Sequence, residues 1–325
     1  MTPATQVVSG ADVGEHPAVR AWLELGRGHH RPVPVGLRKE RKKSVVYRLL
    51  GAGPRGSTVV AKYCDGETGE VERLVYEEIL PRLDVGALRC YGSLERPEGG
   101  RWLFLEDAGE GRFSFAEPDH RRLVARWLAK MHLGAAELRE IERLPDRGSA
   151  YYLAQLREGR KRITGGIRNP ALTKEQRSVV CELGALYDRL GSSWSALETL
   201  CSPLAPTLVH RDLLRSNMRP RDEPGGAGVL VLDWEMAGRG IPAVDVVNVD
   251  IRTYVDEVRA VWALDRNAAA WLSAVAHVLR NLDAIEWISA ELVQPWAGWR
   301  IDQIRLYAER LAGAVHVLGL DGRKR

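Results

Sequence analysis

The sequence predicts an α+β chain of two lobes, a small N-terminal one built on an antiparallel sheet and a larger one that is mainly helical. Three observations predict it. The 325 residues are enough for two sizeable cores. Runs rich in β-branched residues, at 44–50 and 57–63, are joined by a glycine-rich turn in the first part of the chain. From about residue 123 onward apolar positions recur mostly at helical spacing, interrupted by two short apolar runs that each end in polar residues. The expected lobes are 1–107 and 108–325.

The bulk numbers narrow the class. Composition is globular, with 45% hydrophobic and 28% charged residues. Apolar runs are too short to cross a bilayer, so no membrane association is expected. Residues 1–15 lack a positive region followed by an apolar run, so a secretory signal is not expected and the cytoplasm is the expected compartment. A net charge of +4 is mild for this length, and basic and aromatic residues are little interleaved. Neither feature points to a nucleic acid partner. Cys64, Cys90, Cys181 and Cys201 are scattered, with no metal spacing and no disulfide framework, and read as small buried apolar residues. A monomer or homodimer is expected.

In the first lobe, Val19, Trp22 and Leu25 stand at helical spacing behind Pro17, which suits a first turn. Strands are expected at 32–36, 44–50 and 57–63. The turn Gly51-Ala52-Gly53-Pro54-Arg55-Gly56 matches G-x-G-x-x-G, but a dinucleotide loop needs a helix next, and a strand-like run follows. It reads as a hairpin turn. Residues 67–82 read as a helix that Pro81 helps to end. Glu72, Tyr76 and Leu80 fall on one side of it, and an inward Glu beside an apolar stripe wants a cation, which Lys62 would supply. Glu70, Glu77 and Glu78 are the alternatives. Strands at 88–91 and 102–105 complete the lobe.

In the second lobe a helix is expected over 123–138, with His132 a satisfied core or surface residue. A short helical piece at 151–157 is expected to give way to a solvated basic patch and a loop at Gly165-Gly166. Thr173 and Gln176 have capping-box spacing for a helix over 172–190. A further helix is expected over 192–200. Beyond residue 247 helices are expected at 261–264, 268–282, 284–293 and 299–317. Trp262, Trp271, Trp287, Trp296 and Trp299 read chiefly as core residues.

The chemistry is concentrated in one stretch. An apolar run ends in His210-Arg211-Asp212, Asn217 follows five residues after Asp212, and a second apolar run ends in Asp233-Trp234-Glu235. These supply a carboxylate able to take a hydroxyl proton, and an amide oxygen and a carboxylate able to hold Mg²⁺, the set that phosphoryl transfer needs. The pattern resembles the aminoglycoside phosphotransferase family, a branch of the protein-kinase-like fold. That family shows His-Gly-Asp-Leu-His-x-x-Asn, then Asp-Trp or Asp-Phe. Here Arg211 stands for the Gly and Leu214 for the second His. Gly240-Ile241-Pro242-Ala243-Val244-Asp245 matches the family's Gly-x-Pro-x-x-Asp segment. Asp245 reads as a helix cap or a tie to the catalytic loop, and Arg211 as a partner for a carboxylate or for solvent.

The resemblance implies a bilobal protein-kinase-like fold and an ATP- and Mg²⁺-dependent transfer to a hydroxyl of a small molecule. Asp212 would be the base, Asn217 and Asp233 would hold Mg²⁺, and Arg215 would reach the γ-phosphate or the acceptor. Lys62, in Val59-Val60-Ala61-Lys62, would hold the ATP phosphates with Glu72 as its partner. A phosphate-facing turn would fall at 37–44, where Ser44, Arg38 and Lys42 could meet phosphates. Backbone groups of about Glu106 to Ala108 would hold the adenine edge. The acceptor would be an antibiotic, aminoglycoside or nucleoside/peptide, or else a sugar, an amino alcohol or another metabolite. A nucleotide-binding pseudokinase is a further alternative. The chain lacks Asp-Phe-Gly and Ala-Pro-Glu, which speaks against a protein kinase.

Overall fold

The computed structural model describes residues 7–8, 11–26, 35–41, 44–97, 99–223 and 226–321. In chain order its elements are β1 (Val7–Val8), α1 (Pro17–Glu24), β2 (Val35–Arg41), β3 (Ser44–Leu49), β4 (Val59–Asp65), α2 (Gly66–Leu74), β5 (Cys90–Glu95), β6 (Gly100–Glu106), α3 (Pro118–Ala136), β7 (Asp146–Arg147), α4 (Ser149–Ile167), α5 (Lys174–Ser192), α6 (Trp194–Cys201), β8 (Thr207–Val209), β9 (Met218–Glu223), β10 (Gly226–Val231), β11 (Gly238–Gly240), α7 (Ile251–Val258), α8 (Ala268–Ser289) and α9 (Ile301–Val317). This is the α+β architecture expected. The chain forms two compact units. The first takes Met1–Ser114, Leu138–Leu144 and Asp212–Ala237, and the second takes Phe115–Glu137, Pro145–Arg211 and Gly238–Arg325.

The first unit is built on an antiparallel sheet of order β1-β2-β3-β4-β6-β5. Helix α1 starts at Pro17, with His16 accepting from the Ala18 N–H, and buries Ala18, Val19, Ala21 and Trp22. That face packs with Val35, Leu49, Val59, Ala61, Trp102 and Phe104. Burying each large apolar side chain contributes about 1.5–3 kcal/mol. The period of two along β4 sends Val59 and Ala61 to this core and leaves Lys62 and Cys64 on the other face. The glycine-rich run joins β3 to β4 as a hairpin, with Gly51 and Gly56 at positive φ. A π-helical turn, Val75–Ile79, continues α2 and keeps Tyr76 buried. Much of the stretch 37–44 expected as a phosphate-facing turn belongs to β2, which runs to Arg41. β2 pairs with β3 as far as Arg41 opposite Ser44. Arg38 lies within β2 with its side chain outside the described residues, as are Lys42 and Lys43 altogether. Strands β9 and β10 form a separate hairpin whose register sets Met218 opposite Val231.

The second unit is mainly helical, with α4, α5, α8 and α9 packed on one another, and with α7 against α3. Thr173 and Gln176 make a reciprocal capping box at the start of α5. A small sheet of order β7-β11-β8 completes it. Four expectations are corrected here. Helix α4 runs unbroken through Gly165 and Gly166 to Ile167, because these glycines serve close packing and not a loop: a Cβ on Gly166 would lie 2.8 Å from Leu292 Cβ. One helix, α8, replaces the two expected at 268–282 and 284–293. Residues 261–263 form a turn, with Ala263 at positive φ. Trp262 is buried, but Trp287, Trp296 and Trp299 are exposed at 78%, 52% and 90%. Among the described residues no helix is long and apolar enough to cross a membrane.

Candidate active site

In the first unit, β4 delivers Lys62 into a group of carboxylates. Its Nζ lies 2.8 Å from Glu72 Oε2, 2.5 Å from Asp233 Oδ1 and 3.6 Å from Glu235 Oε2. Lys62 and Glu72 are both buried. Glu72 Oε1 accepts the Trp234 N–H at 3.0 Å, and the Cys64 thiol donates to Oε2 at 3.2 Å. Burial alone would depress the Lys62 pKa, but Glu72 and Asp233 outweigh it and hold the ammonium well above its usual range. Burial also raises the Glu72 carboxyl, and Lys62 opposes that rise. A buried thiol beside a carboxylate resists ionisation, so Cys64 acts here as a hydrogen-bond donor.

The hairpin of β9 and β10 brings Asn217 and Asp233 together. The Leu232 N–H donates to the Asn217 carbonyl at 2.8 Å, just beyond the last ladder pair. Asp233 takes a left-handed backbone, φ 69°. A non-glycine residue adopts that region at a cost of roughly 1–2 kcal/mol. The Asn217 amide donates to the Asp212 carbonyl at 2.9 Å and to Asp212 Oδ2 at 3.2 Å, which leaves its own oxygen to accept from Ser216 and a further partner.

A cavity of about 410 Å³ in this unit is lined by Ser44, Lys62, Glu72, Glu106, Ala108, Asn217 and Asp233, together with Val46, Val60, Tyr76, Leu88, Leu105, Ser216, Arg219 and Leu232. Arg215 is exposed and does not line it. The Glu106 carboxylate accepts the Arg89 N–H and pairs with Arg221 at 3.0 Å, which fixes the end of β6. Among the described residues no group of three His, Cys, Asp or Glu is gathered for a metal ion. Asn217 and Asp233 offer two oxygens, a set that suits a cation keeping several waters, as Mg²⁺ does. Cys64, Glu235, Tyr76 and Arg219 were not assigned to the site from sequence. Cys64 had a signal, since it shares the β4 face of Lys62 at i+2.

In the second unit, β8 leads into His210 and Arg211. Both backbone N–H groups donate to Asp245, at 2.7 Å each, so Asp245 ties down the start of the loop. Burial alone would raise the Asp245 carboxyl, but His132 and the His210 N–H hold it below its usual range. His132 also reaches the Tyr254 hydroxyl at 2.8 Å, and both are buried. Arg211 has φ 67° and a buried guanidinium that pairs with Asp283 at 2.7 Å and donates to the Tyr151 hydroxyl at 2.8 Å. The guanidinium lies 4.7 Å from the Tyr151 ring centroid. The glycine usual at this position would adopt positive φ freely, and the arginine is held there by its side-chain partners.

Comparison with known proteins bears on the family and the fold. The family model of the phosphotransferase enzyme family matches residues 72–288. No match was found among curated proteins. Among solved structures, the chain is similar to a microcompartment-associated aminopropanol kinase, with TM-score 0.62 and 15% identity over 94% of this chain and 98% of that one. It is similar to a putative aminoglycoside phosphotransferase of Ralstonia eutropha, with TM-score 0.59 and 15% identity over 91% and 98%. It is also similar to a spectinomycin phosphotransferase solved with ADP and spectinomycin, with TM-score 0.55 and 9% identity over 93% and 96%. At such identities these likenesses speak to the fold.

Proposed function

The chain belongs to the phosphotransferase enzyme family, and on that premise we propose that it moves the γ-phosphoryl group of ATP onto a hydroxyl of a small-molecule metabolite, such as a sugar or an amino alcohol, with Mg²⁺. One observation supports this above the others. Lys62, Asn217 and Asp233 wall a single cavity, and around Lys62 three carboxylates face one ammonium. That excess of acid fits a divalent cation, and the ammonium fits phosphate oxygens.

Lys62, fixed by Glu72, would hold the phosphate chain. Asn217 and Asp233 would hold Mg²⁺, which when bound neutralises charge on the phosphates. Backbone groups of about Glu106 to Ala108 would take the adenine edge. Ser44 would face the phosphates, with Arg38 and Lys42 as further partners. Asp212 would orient the acceptor hydroxyl and take its proton while the oxygen bonds to phosphorus and the bond from phosphorus to ADP breaks. Arg215, on the same loop, would meet the acceptor or the transferred group. The aminopropanol kinase favours an amino alcohol or related metabolite. The spectinomycin phosphotransferase motivates a second reading, in which the acceptor is an antibiotic.

The test is Mg²⁺-dependent ADP release over a panel of sugars, amino alcohols, hydroxy acids and antibiotics, with Asp212→Asn as control. Loss of a positioned base costs about 10²–10⁴-fold in turnover. Asp212→Asn is expected to fold, bind nucleotide and fall to that level. Undiminished turnover in the variant would refute the assigned base.

A further inference from the structure

We propose that Arg147, held against Tyr151 in the helical unit, is an oxyanion-binding residue that receives a carboxylate or phosphoryl group of a small-molecule metabolite. This goes beyond the reading that the chain phosphorylates a small-molecule hydroxyl and does not depend on it.

Arg147 ends β7, which pairs in parallel with β11. β11 pairs in turn with β8, the strand that runs into Arg211. The Arg147 stem lies across β11 where two residues have no side chains. A Cβ on Gly238 would run into Arg147 Cγ, and one on Gly240 would lie 2.6 Å from the Arg147 carbonyl oxygen. The guanidinium sits 4.6 Å from the Tyr151 ring centroid, and the Arg211 guanidinium sits 4.7 Å from the same centroid. The stem is therefore packed and the charge is aimed before any ligand arrives.

The charges do not balance. Arg211 pairs with Asp283, whose other oxygen accepts from the Tyr152 hydroxyl at 3.2 Å. Elsewhere in the unit Arg160 holds Asp188 and Arg162 holds Glu286. Among the described residues Arg147 makes no direct ion pair and feels Asp283 only through space, and its buried Nε has no hydrogen-bond partner. Leaving a buried donor unsatisfied costs about 1–3 kcal/mol. Burial and the like charge of Arg211 together depress the Arg147 pKa, which marks the guanidinium as short of anions. One Asp thus serves two arginines. An oxyanion, which guanidinium groups bind in a planar fork, would restore the balance. The chemistry is shared by a carboxylate or phosphoryl group of a metabolite and by a phosphate of the nucleotide, and the proposal commits to the metabolite.

The experiment titrates inorganic sulfate into the full chain with saturating ADP and Mg²⁺ at constant ionic strength, followed by calorimetry. It compares wild type with Arg147→Gln, Arg147→Lys and Tyr151→Leu, each checked for its melting temperature. ADP affinity is measured on the same samples. Sulfate is expected to bind the wild type, and to bind Arg147→Gln about tenfold more weakly or worse, the scale of one charge-assisted hydrogen bond. Arg147→Lys is expected to retain part of the affinity, so the answer survives if the glutamine variant misfolds. Equal sulfate affinity in wild type and the Arg147 variants would overturn the proposal, as would no sulfate binding to a wild type that binds ADP. A matching loss of ADP affinity in Arg147→Gln would overturn the assignment to a metabolite other than the nucleotide. Failure of the wild type to bind ADP would count against the phosphotransfer reading alone, and the sulfate comparison, repeated without nucleotide, would still decide the anion site.

Discussion

The two units each hold a partly buried cluster of charge, and the clusters are unbalanced in opposite senses. In the sheet unit one ammonium, Lys62, faces Glu72, Asp233 and Glu235. In the helical unit two guanidiniums, Arg147 and Arg211, lie over one tyrosine ring with Asp283 as the carboxylate that serves them. A structural ion pair tends toward neutrality, because each uncompensated buried charge costs several kcal/mol. A surplus kept in a packed site points to something that arrives with the opposite sign. On the proposed readings the sheet cluster would take a cation and the helical cluster an anion.

The largest effect should come from reversing the first surplus. Lys62→Met would leave Glu72 and Asp233 facing each other with no cation between them. Removing one partner of a buried pair costs about 3–5 kcal/mol, so chemical denaturation should show a loss of that order, partly recovered on adding Mg²⁺. If the variant is as stable as wild type in the absence of divalent cations, Lys62 is not neutralising that cluster. Asp283→Asn probes the second cluster. It leaves Arg211 and Arg147 without their carboxylate while keeping a polar oxygen and the Tyr151 hydroxyl. The expected loss is smaller, about 2–3 kcal/mol, and sulfate should recover part of it. Sulfate recovery in Lys62→Met and not in Asp283→Asn would invert the comparison.

How much of this was legible in the sequence differs between the clusters for a physical reason. Lys62 and Asp233 are 171 positions apart, yet each stands at the end of a β-rich or apolar run, and runs of that kind are visible in a linear chain. Glu72 was legible from helical spacing, although its rivals Glu70 and Glu78 turn out to be occupied by Arg73. The cluster around Tyr151 left no such mark. Arg147, Tyr151, Arg211 and Asp283 come from β7, α4, the loop after β8 and α8, and tertiary packing alone unites them. Glycines misled in the same way. Gly165 and Gly166 look like a break in sequence, but inside α4 they are points of close approach to Val293 and Leu292. The exposed Trp287, Trp296 and Trp299 follow the same lesson, since residue type alone does not say which face of a helix finds a partner.

Gly238→Ala sharpens the comparison from the backbone side, with an intermediate effect. The added Cβ meets Arg147 Cγ and lies 2.6 Å from the Pro145 carbonyl oxygen. Backbone does not yield as a side-chain tip does, so overpacking of about 1–3 kcal/mol is expected. The Arg147 stem would be displaced from β11, and sulfate affinity should fall with stability. Nucleotide affinity, which on the proposed reading depends on residues of the other unit, should stay as it was. A Gly238→Ala protein that loses stability but keeps its sulfate affinity would show that the packing of the stem does not aim the guanidinium.

Tyr151→Leu should have the smallest effect on stability and is the most discriminating about the anion cluster. Leucine keeps apolar cover for both arginine stems but has no π face and no hydroxyl. A cation over a partly desolvated ring contributes about 0.5–2 kcal/mol, and the hydroxyl that accepts from Arg211 and from Gln155 is lost as well. If the ring chiefly stabilises two crowded guanidiniums, melting temperature should fall modestly and sulfate, by supplying the missing negative charge, should stabilise the variant more than the wild type. If the ring chiefly aims Arg147, sulfate affinity should fall instead. Tyr151→Phe separates the two contributions, because it restores the π face without the hydroxyl: recovery of sulfate affinity in Phe assigns the aiming to the ring, and continued loss assigns it to the hydrogen bond with Arg211.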